Sequence, residues 1–253
     1  MIASLMMYTR PELAAAHDRF WHLIRTELLA VGVEAPEALD QSAFGVEAWK
    51  RPDLVLSQTC GMPYRLWLSE HVNLIGTPDY GLEACPAGYY RSAFVVRKGD
   101  PRTDLSAFKD ATFAFNQTHS QSGYAAPFNH LAPQGVWFDR KFETGSHLNS
   151  ARAVAKGQAD IAALDAVSWR LIQRYESWAN ELQILEWTAP TPGLPLITAQ
   201  TQDAETLFNA INKAIEGLSA PDKMDLGIKA LVRIPIENYL AIPNPDETLI
   251  QRA

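Results

Sequence analysis

Apolar residues change period along the chain, and the changes separate strands from helices. Ile2–Met7, apolar but for Ser4, reads as a buried strand. From Pro11 to Val31, Leu13, Phe20, Leu23, Ile24 and Leu28 recur at three- and four-residue steps, which predicts a helix. Thr9 is placed to cap it, Pro11 lies near its first turn and Gly32 stops it. Asp53–Gln58 and Val72–Thr77 read as short buried strands, and Cys60–Glu70 as a turn running into a short helix. Tyr90–Asp100 alternates and is rich in β-branched residues, so it reads as a long strand ending in a Gly-Asp-Pro turn.

Further on, Leu105–Asp110 is a brief helix and Ala111–Asn116 a strand. Ser146–Gly157 has a cap, an apolar face of Leu148, Ala151, Val154 and Ala155, and a terminal glycine. Asp160–Asp165 is a strand, Ala166–Glu176 a helix and Leu182–Trp187 a strand, followed by the Pro-rich run Thr188–Thr198. Asp203–Leu218 and Pro221–Val232 read as two amphipathic helices. Alternating strands and helices with short connections favour an α/β fold with mostly parallel sheets. A tail of helices alone fits a chain that returns to complete an earlier lobe.

Bulk composition narrows the function classes. The 253 residues are enough for one large domain or two lobes; 47% are hydrophobic and 20% charged, which is globular composition. A net charge of −7 argues against a nucleic-acid partner, which requires a basic face. No apolar run reaches the roughly 18–20 residues of a membrane span. The N-terminal MIASLMMYTRPEL has no basic n-region, long apolar h-region or small-residue cleavage site, so either a signal peptide was removed or none is made. Cys60 and Cys85 have no metal-ligand spacing; they are two buried thiols or, in an oxidising compartment, one disulfide. No Walker A, G-x-G-x-x-G, G-x-S-x-G or H-E-x-x-H motif is present, so no cofactor, metal or catalytic set is expected.

Three strand-to-helix junctions carry residues suited to a small anion. At the first, NQTHSQSGY supplies His119, Ser120, Gln121, Ser122 and Gly123 where a strand hands over to a helix. The hydroxyls can cap or donate, Gly123 lets a ligand approach the backbone, and a helix start offers unpaired N–H groups with partial positive charge. Pro127 requires the helix to start near Gly123 or to be kinked. At the second, Ser146 is the natural N-cap and His147 the first helical residue, able to donate to an anion. At the third, Asp165 either caps the following helix or faces a positive group on the ligand. Such a set suits a zwitterion such as an aminoalkyl phosphonate. A further set, Tyr8, Gln58, Thr59 and Tyr64, follows the first two strands and is either a second group of ligand contacts or turn and core residues.

The runs HSQSGY (119–124) and GSHLNSARAVAKGQADIAALDAVSW (145–169), with YRSAFVVRKGDP (90–101), resemble the phosphate, phosphite and phosphonate substrate-binding proteins of ABC transporters. The resemblance spans most of the chain and is most specific from Tyr89 to Trp169. It implies a type II periplasmic-binding fold: two α/β lobes, each a mixed, mainly parallel sheet flanked by helices, joined by two hinge strands with ligand in the cleft. The lobes would be residues 1–94 with 196–253, and 95–195. It further implies that Ser120, Ser122 and His147 hold the phosphonate oxygens, that Tyr90 meets the ligand from the hinge side, and that Asp165 meets an organic amine where one is present. The expected partners are a small oxyanion and an inner-membrane ABC permease, with the protein a periplasmic monomer and no enzyme. A cytoplasmic enzyme or a ligand-sensing module on the same fold is the alternative.

Overall fold

The computed structural model describes residues 1–246, which divide into two compact units. The first holds Met1–Tyr89 and Pro192–Leu240; the second holds Tyr90–Thr191 and, among the described residues, 241–246.

In the first unit a five-stranded sheet has the order β1-β2-β11-β3-β12, with β1 Ile2–Ser4, β2 Leu54–Gln58, β3 Val72–Asp79, β11 Leu196–Ala199 and β12 Ala230–Val232. β1 and β2 are parallel, whereas β11 runs antiparallel to both β2 and β3. Helices α1 (Ala14–Ala30), α2 (Val46–Trp49), α3 (Gly61–Pro63), α7 (Ala204–Glu216), α8 (Ala220–Leu226) and α9 (Ile236–Leu240) belong to this unit. The face of α1 that the periodicity predicts is buried at Phe20, Ile24 and Leu28, joined by Trp21, and α1 packs on α7.

Local differences from the sequence reading have local causes. Thr9 does not cap the first helix: its hydroxyl donates to the Met6 carbonyl, and the chain enters through a 3-10 turn, Pro11–Leu13. β1 ends at Ser4, and Tyr8 adopts φ +63°, a left-handed conformation that disfavours a strand. The second tail helix stops at Leu226 because Gly227 takes up the left-handed C-cap. The chain then forms β12, antiparallel to β3, so the last part of Pro221–Val232 is a strand.

The second unit's sheet has the order β7-β6-β8-β5-β9: β5 Ser92–Arg97, β6 Thr112–Phe115, β7 Arg140–Glu143, β8 Ile161–Asp165 and β9 Leu182–Trp187. β6, β7 and β8 are parallel, and β5 is antiparallel to β8 and β9. Because Ser92–Arg97 builds this sheet, the unit boundary falls at Tyr89/Tyr90, earlier than residue 94. The second boundary falls at Thr191/Pro192, and a two-residue ladder pairs β4 (Tyr89–Tyr90) with β10 (Thr191–Pro192).

Both faces of the second sheet are covered. Ala93, Val95, Ala114, Ala162 and Leu164 pack on one side with residues of α5 (His147–Ala155) and α6 (Ala166–Tyr175). Phe94, Val96, Phe113, Phe115, Ile161 and Ala163 face the other side, against Phe108, Leu131 and Phe138. Adjacent residues thus serve opposite cores, which is why these strands read as continuous apolar runs. Helix α4 (Ala126–Leu131) lies on the aromatic side. Among the described residues no helix is long and apolar enough to cross a membrane.

Candidate ligand-binding site

The parallel strands β6, β7 and β8 place their carboxyl ends on one edge of the second sheet, where open α/β sheets bind ligands. Backbone at the end of β6 then fixes the next junction. The Phe115 carbonyl accepts from Thr144 N at 2.9 Å and from Thr144 Oγ1 at 3.0 Å, and the Asn116 carbonyl accepts from Gly145 N at 2.9 Å. These bonds hold the start of α5, where Ser146 Oγ accepts from Asn149 N at 3.2 Å and His147 is the first helical residue.

The opening junction is not an ordinary α-helix start. Ser120 is the N-cap of a π turn, Gln121–Ala125, and its Oγ accepts from Gly123 N at 3.0 Å. The Ser120 carbonyl takes two amides, Tyr124 N at 3.2 Å and Ala125 N at 3.0 Å. Pro127 has no N–H to give the Gly123 carbonyl, so a regular α-helix across this point would lose a bond; the wider turn hands over to α4 at Ala126 instead. The sequence requirement for a start near Gly123 or a kink is met by this wide turn.

The π turn and α5 meet through Ser122, whose Oγ lies 2.9 Å from His147 Nε2. Gly123 makes the approach feasible: a Cβ there would lie 1.9 Å from Asn116 Oδ1 and 3.3 Å from His147 Cε1. Ser120, Gln121 and Ser122 are buried. Burial pushes the His147 imidazole down to about 4, with the Ala163 carbonyl opposing part of that shift, so the ring is neutral at pH 7. Burial also lowers His119. Asn116 Oδ1 is out of water without a hydrogen-bond partner. Ser120 and Ser146 use lone pairs as caps, which leaves each hydroxyl hydrogen able to donate.

Asp165, at the end of β8, is buried and works as an N-cap: its Oδ1 accepts from Val167 N at 2.7 Å and Ser168 N at 2.9 Å. Tyr90 is buried in the two-residue strand β4.

In the first unit the other four positions divide. Gln58 donates from Nε2 to Tyr80 Oη at 3.3 Å and to the Leu194 carbonyl at 3.2 Å. Tyr8 packs edge-on against Tyr80, with ring centroids 5.1 Å apart. Thr59 N donates to the Pro195 carbonyl at 3.0 Å, while its Oγ1 is buried without a hydrogen-bond partner. Tyr64 belongs to the core, fully out of solvent and edge-on to Tyr239, and burial raises its hydroxyl to about 12. Cys60 and Cys85 are separate half-buried thiols, so the disulfide alternative is not what this structure contains.

The structure therefore brings Ser120, Ser122, Gly123 and His147 into one cluster and adds residues that the sequence reading missed. Asn116 and Thr144 join that cluster, and Tyr80 joins Tyr8 and Gln58. Asn116 and Thr144 flank the quoted motifs, but nothing in their spacing distinguishes them from ordinary loop residues.

Comparison of the sequence with curated proteins finds no match. Several solved structures share the fold. The protein XAC2383 from Xanthomonas citri, bound to ATP, is 17% identical with a TM-score of 0.70 over 94% of this chain and 92% of that one. A binding-protein component of an ABC phosphonate transporter from Pseudomonas aeruginosa is 17% identical with a TM-score of 0.70, over 96% and 83%. PhnD1 from Prochlorococcus marinus, in complex with methylphosphonate, is 18% identical with a TM-score of 0.71, over 94% of each chain. The fold class is that of the type II periplasmic binding proteins. Residues 59–242 match the family described as "ABC transporter, phosphonate, periplasmic substrate-binding protein", and the chain belongs to that family.

Proposed function

We propose that the second unit holds a small phosphorus oxyanion through Ser122 and His147, with the Ser120 hydroxyl and the start of α5 supplying further donors. The observation that carries this reading is the 2.9 Å contact of Ser122 Oγ with His147 Nε2, which joins two helix starts in one part-buried polar cluster. A helix start offers N–H groups and a partial positive charge, and a hydroxyl can donate to an oxyanion without a fixed charge nearby. Family membership makes the protein the substrate-binding component of an ABC importer, whose members are periplasmic and serve a permease. Methylphosphonate in the Prochlorococcus marinus relative supports a phosphonate as the ligand class. We take this protein to act in the periplasm as a monomer that delivers its ligand unchanged, with Tyr90 as an additional ligand group of the second unit. The family favours this reading over an enzyme or a sensor module.

A thermal-shift screen of dialysed protein against phosphate, phosphite, methylphosphonate, 2-aminoethylphosphonate and taurine tests it. A ligand at about a thousand times its Kd adds about 4 kcal/mol, a rise on the order of 10 °C for a chain of this size. Ser122→Ala should abolish the rise while lowering the unliganded Tm by only a few degrees. A flat response to every phosphorus oxyanion would overturn the assignment.

A further inference from the structure

A cation on the ligand edge of the second sheet is not used by the cradle. β8 and β9 both run antiparallel to β5, so their carboxyl ends, Asp165 and Trp187, flank the start of β5 on that edge. Arg91 immediately precedes β5: its carbonyl accepts from Ala166 N at 3.1 Å, and the next residue, Ser92, pairs with Asp165. The Arg91 guanidinium lies over the Trp187 ring, 4.2 Å from its centroid. Trp187 packs against the core that α5 and α6 share, so it stands on the side of the sheet where α5 begins with His147. Arg91 and Trp187 are both half-buried.

Stacking occupies a face of the guanidinium and leaves its edges, a planar fork of five N–H donors, unspent. Among the described residues those donors meet no carboxylate, carbonyl or hydroxyl, whereas Arg97 and Arg102 share Asp160 and Arg19 is held by Asp222. The neighbouring carboxylate is committed elsewhere: Asp165 Oδ1 takes the N–H groups of Val167 and Ser168. Glu143, which ends β7, stands on the opposite side of the cradle, three strands from β5. On the β5 side, therefore, the charge offered to a ligand is positive.

Resting on the reading of Ser122 and His147 as an oxyanion cradle, we propose that Arg91, held on Trp187, is a second anion contact that takes a carboxylate on the organic arm of the ligand. The two oxygens of a carboxylate match the paired N–H groups along one edge of a guanidinium. The ligand class is then a carboxyalkyl phosphonate. β5 lies two strands from β6, a span of about 10 Å along the sheet edge. A carbon chain and the length of the Arg91 side chain share that span, so an arm of several carbons fits. Phosphonoacetate, whose carboxylate is one carbon from phosphorus, falls short.

Isothermal titration of the whole protein at pH 7 with butylphosphonate, 4-phosphonobutyrate, 4-aminobutylphosphonate and phosphonoacetate tests the proposal. The carboxylate arm should bind about tenfold tighter than the butyl arm, the lower end for a hydrogen bond to a charged group because Arg91 is half-buried. Phosphonoacetate should gain least and the amine nothing. Arg91→Gln should bring the ratio of the butylphosphonate and 4-phosphonobutyrate Kd values to about one. Arg91→Lys, which keeps the charge and loses the planar fork, should keep part of the ratio. Ser122→Ala should weaken both ligands together, because it acts on the shared phosphonate group. Equal wild-type affinities for the two arms, an amine that binds tighter than the carboxylate, or a ratio that Arg91→Gln leaves in place would overturn the proposal while leaving the oxyanion cradle intact. Binding of no phosphonate at all would remove the cradle and this inference together.

Discussion

Gly123→Ala is the substitution to which the second unit should be most sensitive for its size. The added methyl carbon would sit 1.9 Å from Asn116 Oδ1 and 2.9 Å from Asn116 Cγ, so the amide and the turn must part by about 1 Å before contact is tolerable. The Asn116 backbone is held by the bond from Gly145 N to its carbonyl, so relief falls on rotation of the amide or on displacement of the turn. Overpacking of this kind costs about 1–3 kcal/mol, a fall in Tm of roughly 2–12 °C for a chain of this length. A turn displaced by about 1 Å also takes Ser122 Oγ beyond hydrogen-bond reach of Nε2, from a starting distance of 2.9 Å. Losing a hydrogen bond to a charged ligand costs about 1.5–3 kcal/mol, or roughly a ten- to hundredfold rise in Kd. Thermal unfolding and titration calorimetry read the two effects separately. The decisive control is Asn116→Ala with Gly123→Ala: once the amide is gone, the nearest remaining contact of the three is His147 Cε1 at 3.3 Å, and most of the lost stability should return. A neutral Gly123→Ala, or a double variant as unstable as the sum of the two singles, would refute the account of why a glycine stands here.

The other expectations concern the cap, the carboxylates and the thiols. Asp165→Ala should lower stability by about 0.5–2 kcal/mol through loss of the α6 cap, and should weaken methylphosphonate and 2-aminoethylphosphonate equally; a loss confined to the amine would show Asp165 to be a ligand contact instead. Asp100 is held down to about 2 by hydrogen bonds from Arg102, so its stabilisation is complete above the ordinary carboxylate range and disappears as pH falls from about 4 through about 2. Asp100→Asn should therefore cost about 1 kcal/mol at pH 7, and that cost should shrink steadily as pH falls from about 4 through about 2, read by denaturant unfolding; a cost unchanged across that range would exclude the ion pair as its source. Reductant should leave the Tm unchanged, since Cys60 and Cys85 are separate thiols; a fall on reduction would show that they pair in solution.

What could be read from the chain was whatever a neighbour a few residues away decides. The helix at α5 and its Ser146 cap, the strand β8 and the helix after Asp165 are all set by local periodicity and capping, and they stand within a residue or two of the predicted places. Where the outcome depends on a distant segment, the pattern is silent. Ala230–Val232 is an unremarkable apolar triplet until β3 offers an edge, and then pairing outweighs helical spacing. Alternation of strands and helices predicts parallel pairing such as that of β6 with β8, but no local signal marks β7 or says that β5 and β11 enter their sheets antiparallel.

The site shows the same division, more sharply. Ser122 and His147 are conspicuous because hydroxyl, glycine and imidazole at helix starts are an uncommon combination. Asn116 is not, because an asparagine after a strand is what any turn contains. Its importance arises only when Gly123 folds back over it and the Thr144–Gly145 loop bonds to the strand end beneath. That arrangement has a chemical consequence. Beside the Ser122–His147 contact, the Asn116 amide oxygen stays buried without a hydrogen-bond partner. A site built to hold an anion would gain from a lysine or arginine here, since a fixed charge attracts any oxyanion. The proposed cradle instead presents a neutral ring, hydroxyls and helix-start N–H groups, so on that reading its selectivity comes from hydrogen-bond geometry rather than from a fixed charge.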